Sequence, residues 1–94
     1  MILNNATIAI DHLEYSNLTF DYAESNDEIN VLVVGDTETI IETYTYIHEN
    51  EIKGKISVIG MDATGEEHSF ELKNPNKLQF NLSRPYSISI SCKK

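Results

Sequence analysis

The sequence predicts an all-β protein, a single small antiparallel β-sandwich or barrel of about seven to nine short strands spanning residues 1–94. Apolar and polar residues alternate with a period of two in several segments, which is typical of strands with one buried face. Turn-forming residues interrupt the alternation roughly every 8–12 residues, as in sandwiches and barrels. The chain has 94 residues, of which 40% are hydrophobic, enough for one core.

The N-terminal part contains three predicted strands. Ile8 and Ile10 share one parity, and a second alternating row runs over residues 18–22. Residues 29–34 form a short, nearly continuous apolar run that ends before Gly35. Such a run indicates a strand that is central or buried on both faces.

The segment Thr37–His48 has conflicting signals. Its apolar residues at 40, 41, 44 and 47 have helical spacing, and Asp36 is a suitable helix cap. However, the segment is rich in Thr, Ile and Tyr, which favour strands. We predict a strand. Tyr44 and Tyr46 then share one face of the strand. If the opposite face, which carries Ile41 and Ile47, packs into the core, both tyrosines are exposed. Burial of the tyrosine face is an equal alternative.

The C-terminal part gives the clearest pattern. A strand is predicted over residues 51–61, where Gly54 and Gly60 mark a bulge or bend. The turn at 62–65 then leads into three further strands, separated by turns at 74–76 and 84–85. The predicted inward rows of these strands are His68, Phe70 and Leu72; Leu78, Phe80 and Leu82; and Tyr86, Ile88, Ile90 and Cys92.

Charge is distributed unevenly along the chain. Residues 1–52 carry eleven acidic side chains and no Lys or Arg, whereas residues 53–94 carry four acidic and seven basic side chains. The net charge of −8 argues against a protein that binds nucleic acid directly. Such asymmetry either keeps a small protein soluble or forms an acidic face for a basic partner.

The densest acidic segment is predicted to be a loop between strands that steers or contacts this partner. Tyrosines provide rigid, amphipathic contact area, so the two tyrosines of the 37–48 segment are candidate anchors. The predicted partner-binding residues are Asp21, Glu24, Asp27, Glu28, Tyr44 and Tyr46.

The sequence shows no recognisable catalytic or metal motif. His12, His48 and His68 have no metal-ligand spacing, and Cys92 continues the apolar row of its strand. There is no Gly-x-Ser-x-Gly turn or phosphate-binding loop. The calcium-loop pattern is also missing, with only a partial similarity over residues 62–67. We predict no enzymatic activity, no cofactor and no metal.

These observations favour a small acidic intracellular protein-binding module. The N-terminus lacks the pattern of a secretory signal, no apolar run approaches the roughly 18 residues of a membrane span, and one unpaired cysteine suits a reducing compartment, so a cytoplasmic location without membrane association is expected. The predicted partner is a basic protein surface, which an inhibitor such as a phage anti-defence or toxin-immunity protein would occlude. The alternatives are a structural module, such as a virion subunit, that self-associates through sheet edges, and a carbohydrate- or calcium-binding sandwich.

Overall fold

The computed structural model describes residues 1–50 and 55–94 and confirms the all-β class. All strand pairs in the single seven-stranded sheet are antiparallel, and the spatial order is β5-β4-β1-β2-β3-β7-β6. The elements are β1 (Ile2–Ile10), β2 (Leu13–Glu24), β3 (Glu28–Val34), α1 (Thr37–Glu49), β4 (Ile56–Met61), β5 (Glu67–Leu72), β6 (Pro75–Asn81) and β7 (Ser87–Lys93).

The sheet curls into a barrel-like shape. Its two edge strands, β5 and β6, are joined by only Lys73 and Asn74, so one end of β5 lies close to one end of β6. Across the interior, Tyr22 of β2 stacks on Phe70 of β5 with ring centroids 4.4 Å apart. These two strands are separated by β4 and β1 in the sheet, and a flat sheet would keep their side chains well apart.

Two bulges increase this curvature. Asn5 on β1 and Asn17 on β2 are extra residues relative to the neighbouring strands, and both have positive φ angles, 50° and 61°. Asparagine tolerates this left-handed conformation better than most residues. The bulge predicted at Gly60 is not on β4: the extra residue lies on β1, and Gly60 is opposite it, where a Cβ on Gly60 would lie 2.9 Å from the Leu3 Cβ.

The inward rows predicted for the C-terminal strands are largely confirmed. Leu72, Ile88, Ile90 and Cys92 are buried in the core, while Phe70, Leu78, Phe80 and Tyr86 are half-buried against it. Leu82 is a correction: it lies beyond the end of β6 and its side chain is 79% exposed. The run at 29–34 is a central strand as predicted, between β2 and β7, but Leu32 faces solvent.

The strand predicted over 37–48 is wrong, because this segment is the helix α1. The Asp36 carboxylate accepts hydrogen bonds from the Thr39 backbone N–H (2.9 Å) and the Thr39 hydroxyl (2.7 Å), which caps the first turn. Thr43 donates its hydroxyl to the Thr39 carbonyl, so this β-branched residue is accommodated inside the helix. Ile40 and Ile47 are buried, and their contribution to the core outweighs the strand propensity of the segment.

The beginning of the strand predicted over 51–61, with Ile52 and Gly54, lies outside the described residues; the observed strand β4 starts at Ile56. Within the part of the chain that the structure describes, no helix is long and apolar enough to cross a membrane.

Candidate partner-binding surface

The predicted acidic segment forms the end of the β2–β3 hairpin. Asp21 and Glu24 lie on β2, Asp27 lies in the turn and Glu28 begins β3. All four side chains are exposed. We refer to these four residues as the acidic turn. The segment is therefore mostly strand rather than the predicted loop.

Cations from both chain termini lie beside the acidic turn. The Lys94 Nζ is 2.6 Å from the Glu24 carboxylate, and the amino group of Met1 is 3.9 Å from the Asp21 carboxylate. Lys93 is directly opposite Glu28 in the β3–β7 pairing. Exposed ion pairs of this kind contribute little to stability, but they reduce the local negative charge. The local negative charge of the acidic turn is therefore smaller than its sequence indicates.

The two tyrosines point in different directions, so the shared face predicted for them is wrong. Positions two apart on a helix lie about 200° apart around its axis. Tyr46 donates its hydroxyl to the Asp11 carboxylate at 2.8 Å, beside the start of β2. Tyr44 lies against Phe80 of β6 with ring centroids 4.8 Å apart. Since Glu24 is at the other end of the 12-residue β2, the structure does not bring the six predicted residues together.

A second acidic region lies on α1 and the β1–β2 turn. Its members are exposed, and none of the ion pairs between described residues involves them. We refer to it as the acidic helix surface, which consists of Asp11, Glu38, Glu42 and Glu49.

The pKa values of the two tyrosines near this surface are raised, mainly by burial and hydrogen bonding. Burial and the Glu42 carboxylate raise the pKa of Tyr15. The hydrogen bond donated to Asp11 is the main reason that the pKa of Tyr46 is raised, because ionised Tyr46 would lose this bond and face the carboxylate. Asp36, in contrast, is engaged as the helix cap, and the Thr39 hydrogen bonds lower its pKa.

An apolar groove lies between α1 and the end of β6. It has a volume of about 320 Å³ and is lined by Ile41, Tyr44, Phe80, Leu82 and Tyr86. We refer to these five residues as the helix groove. Ile41 and Leu82 are 45% and 79% exposed, and exposed apolar side chains that line a common depression are a feature of binding sites. The Arg84 guanidinium lies 5.8 Å from the centroid of the Tyr86 ring.

The sequence prediction missed four of the groove residues. Ile41 and Leu82 were assigned to strands, and Phe80 and Tyr86 were assigned only to the core. The spacing of Ile41 and Tyr44 could have indicated part of the groove, because residues three positions apart lie on the same side of a helix. Their proximity to β6 depends on the tertiary structure and has no local signal.

A further cluster of polar residues closes the β4–β5 hairpin. One Asp62 carboxylate oxygen accepts hydrogen bonds from the Thr64 N–H (2.9 Å), the Thr64 hydroxyl (2.6 Å) and the Glu66 N–H (3.0 Å). The other oxygen is 2.7 Å from the His68 Nε2. The bonds from the Thr64 hydroxyl and from His68 hold the pKa of Asp62 well below its usual range. One potential metal-ligand atom from each of Asp62, Glu66 and His68 lies within 4.8 Å of the others, although no metal site was predicted here.

The burial predicted for Cys92 and His68 agrees with the structure. Cys92 is fully buried, as expected for a small core residue, and burial raises the pKa of its thiol. His68 is half-buried near the start of β5. His12 and His48 are exposed and far apart in the sequence, and the ring of His48 stacks on Tyr44.

Comparison of this chain with models of protein families, with curated proteins and with solved structures finds no match in any of the three. The function proposed below therefore rests on the charge and geometry of the chain itself.

Proposed function

We propose that this protein is a non-enzymatic binding module that attaches to a basic surface of a partner protein through the acidic helix surface and the helix groove. The main support is that α1 carries carboxylates on its exposed side and also forms one wall of an apolar groove. Exposed carboxylates that form no ion pair among the described residues attract a basic surface over a distance, and an apolar groove retains it after contact.

The two features affect different steps of binding. Charges at the edge of an interface mainly increase the association rate, and this effect weakens as salt shortens the Debye length to about 8 Å at physiological ionic strength. Apolar side chains in a desolvated pocket mainly lower the dissociation rate. Ile41 and Leu82 are the exposed members of the groove and would gain the most burial.

A basic protein surface that itself binds nucleic acid fits this proposal best. Such a surface has closely spaced Lys and Arg side chains, and the acidic helix surface would compete with phosphates for them. The module would then act by occlusion, as an inhibitor of its partner. The acidic turn is a second contact region in this proposal, weakened by its neighbouring cations.

The test compares two charge-neutralised variants. One carries Glu38→Gln, Glu42→Gln and Glu49→Gln, and the other carries Asp21→Asn, Glu24→Gln, Asp27→Asn and Glu28→Gln. A basic partner is first isolated with the wild-type chain as bait, and binding kinetics are then measured at two salt concentrations. We expect the helix variant to lower the association rate about tenfold at low salt, and the turn variant to have a smaller effect.

Apolar variants complete the test. Leu82→Ser is expected to raise the dissociation rate and leave the association rate nearly unchanged, and Leu32→Ser, on the solvent face of β3, is the matched control. The proposal is contradicted if the helix variant and Leu82→Ser both bind as the wild type does. A larger decrease in association rate for the turn variant than for the helix variant would indicate that the interface lies at the β2–β3 hairpin.

Self-assembly through sheet edges is the second candidate. The supporting observation is that β5 and β6 each pair with a single strand and leave one edge without a strand partner among the described residues. Molar mass measured at two protein concentrations separates the candidates. A molar mass that increases with protein concentration, and that no longer does so in the Gln79→Pro variant, would favour the assembly module over the partner-binding module.

A further inference from the structure

We infer that Asp62, Glu66 and His68 form a binding site for a divalent transition-metal ion of the zinc type at the β4–β5 hairpin. This inference does not depend on the proposed partner binding. Its basis is that a mixed set of donors, one imidazole nitrogen and two carboxylate oxygens, converges within 4.8 Å. A cluster of carboxylates alone would not distinguish a metal site from an ordinary acidic surface.

The hairpin brings these donors together from three places. Asp62 directly follows β4, Glu66 lies at the end of the turn, and His68 is the second residue of β5. Glu66 and His68 are two positions apart, so their side chains point to the same side of the extended chain. Glu67 points to the other face, where it is opposite Met61. The alternation therefore selects one of two adjacent glutamates.

The ligand spacing requires only small side-chain rotations. Tetrahedral zinc ligands at about 2.0–2.2 Å from the ion lie about 3.3 Å from each other. The His68 Nε2 and the Asp62 carboxylate oxygen are 2.7 Å apart, and the three donor atoms all lie within 4.8 Å of one another. An ion would separate the first pair slightly and draw Glu66 inward.

The donor set also indicates the type of ion. Zinc binds imidazole nitrogen and carboxylate oxygen readily, whereas calcium prefers six to eight oxygen ligands. Three protein ligands leave a fourth position for water. The second Asp62 oxygen is held by the Thr64 hydroxyl and two backbone N–H groups, and such hydrogen bonds orient a ligating carboxylate.

A bound ion would fasten the hairpin that carries the edge strand β5. It would join the end of β4 to the start of β5 at the position where the pairing begins, Met61 opposite Glu67. Binding to the folded state alone raises the melting temperature as the metal concentration increases. Metal binding would thus stabilise the hairpin at one edge of the sheet.

The experiment titrates Zn²⁺ into the full chain after treatment with a chelator, with calorimetry for stoichiometry and NMR for location. We expect one ion per chain, with chemical-shift changes concentrated over residues 61–69 and at the His68 imidazole. His68→Gln and Glu66→Gln should each weaken binding at least about tenfold. Glu67→Gln is the matched control and should change the affinity by less than about twofold, because its side chain lies on the opposite face.

Three results would overturn the inference. The first is the absence of saturable Zn²⁺ binding. The second is binding that is equally sensitive to Glu66→Gln and Glu67→Gln. The third is a shift of the His12 or His48 signals instead of those of His68. The last two would show adventitious surface binding. The amide spectrum of each variant establishes that the fold is intact, and Co²⁺ absorption provides an independent measure of tetrahedral coordination.

Discussion

The acidic turn and the acidic helix surface carry the same number of carboxylates but differ in their surroundings. Beside the acidic turn lie the Met1 amino group, Lys93 and Lys94, and Lys94 approaches Glu24 to 2.6 Å. No ion pair between described residues reaches the acidic helix surface. Among the described residues, the region with the denser run of acidic residues in the sequence is thus the more neutralised one.

This difference arises from strand pairing. The C-terminal strand β7 pairs with β3, which brings Lys93 opposite Glu28 and Lys94 close to the hairpin. The helix α1 is connected to the sheet by buried apolar residues, and its carboxylates remain on the outside. Charge density along a chain therefore predicts surface potential poorly when distant strands pair.

The largest expected effect tests how the acidic helix surface is held in place. Ile40→Ala removes a fully buried side chain that anchors α1 and should lower the free energy of unfolding by about 2–5 kcal/mol. Ile41→Ala is the adjacent control; because Ile41 is 45% exposed, its loss should be below about 1 kcal/mol. Chemical denaturation measures both. Equal losses would show that α1 is not docked through Ile40.

An intermediate effect is expected at the bulge that lies between the two acidic regions on β2. Asn17 has a φ of 61°, a conformation that β-branched residues adopt only with strain. Asn17→Val should therefore lower the free energy of unfolding by about 1–3 kcal/mol, whereas Asn17→Gly should be nearly neutral or stabilising. Thermal unfolding of both variants provides the measurement. A valine variant as stable as the glycine variant would contradict the left-handed bulge.

The smallest expected effects are changes in stability on charge reversal, and they have opposite signs in the two acidic regions. Glu38 and Glu42 are four residues apart on α1, so Glu42→Lys replaces a repulsion by an attraction and should stabilise the protein by about 0.5 kcal/mol. Glu24→Lys removes the ion pair with Lys94 and should destabilise it by up to about 1 kcal/mol. Both effects should decrease at high salt. The same sign in both variants would mean that the two surfaces do not differ in local charge.

More of the fold than of the candidate site could be predicted from the sequence. The alternation at 68–72 and 86–92 reports directly on which face is buried, because a period of two is a local property. The segment 37–48 was assigned incorrectly, since its Thr, Ile and Tyr content favours strands while its apolar spacing favours a helix. The Asp36 cap and the burial of Ile40 and Ile47 decide between them.

The candidate site was only partly predictable for a related reason. Tyr44 was selected from the sequence as an anchor and does line the helix groove, but Leu82 comes from a segment 38 residues later. The cluster of Asp62, Glu66 and His68 was not predicted although its residues are close in sequence. The proximity of Asp62 and His68 can be recognised only when the register of the hairpin is known.

The sequence by itself determined the all-β class, most of the inward rows of the C-terminal strands and the total charge, because these follow from local periodicity and composition. Only the tertiary structure decided the burial of Ile40 and Ile47 that favours the helix over a strand, the positions of the tyrosines and the placement of cations beside carboxylates. Each of these depends on contacts between residues far apart in the chain, whose free energies exceed the local preferences that the sequence reveals.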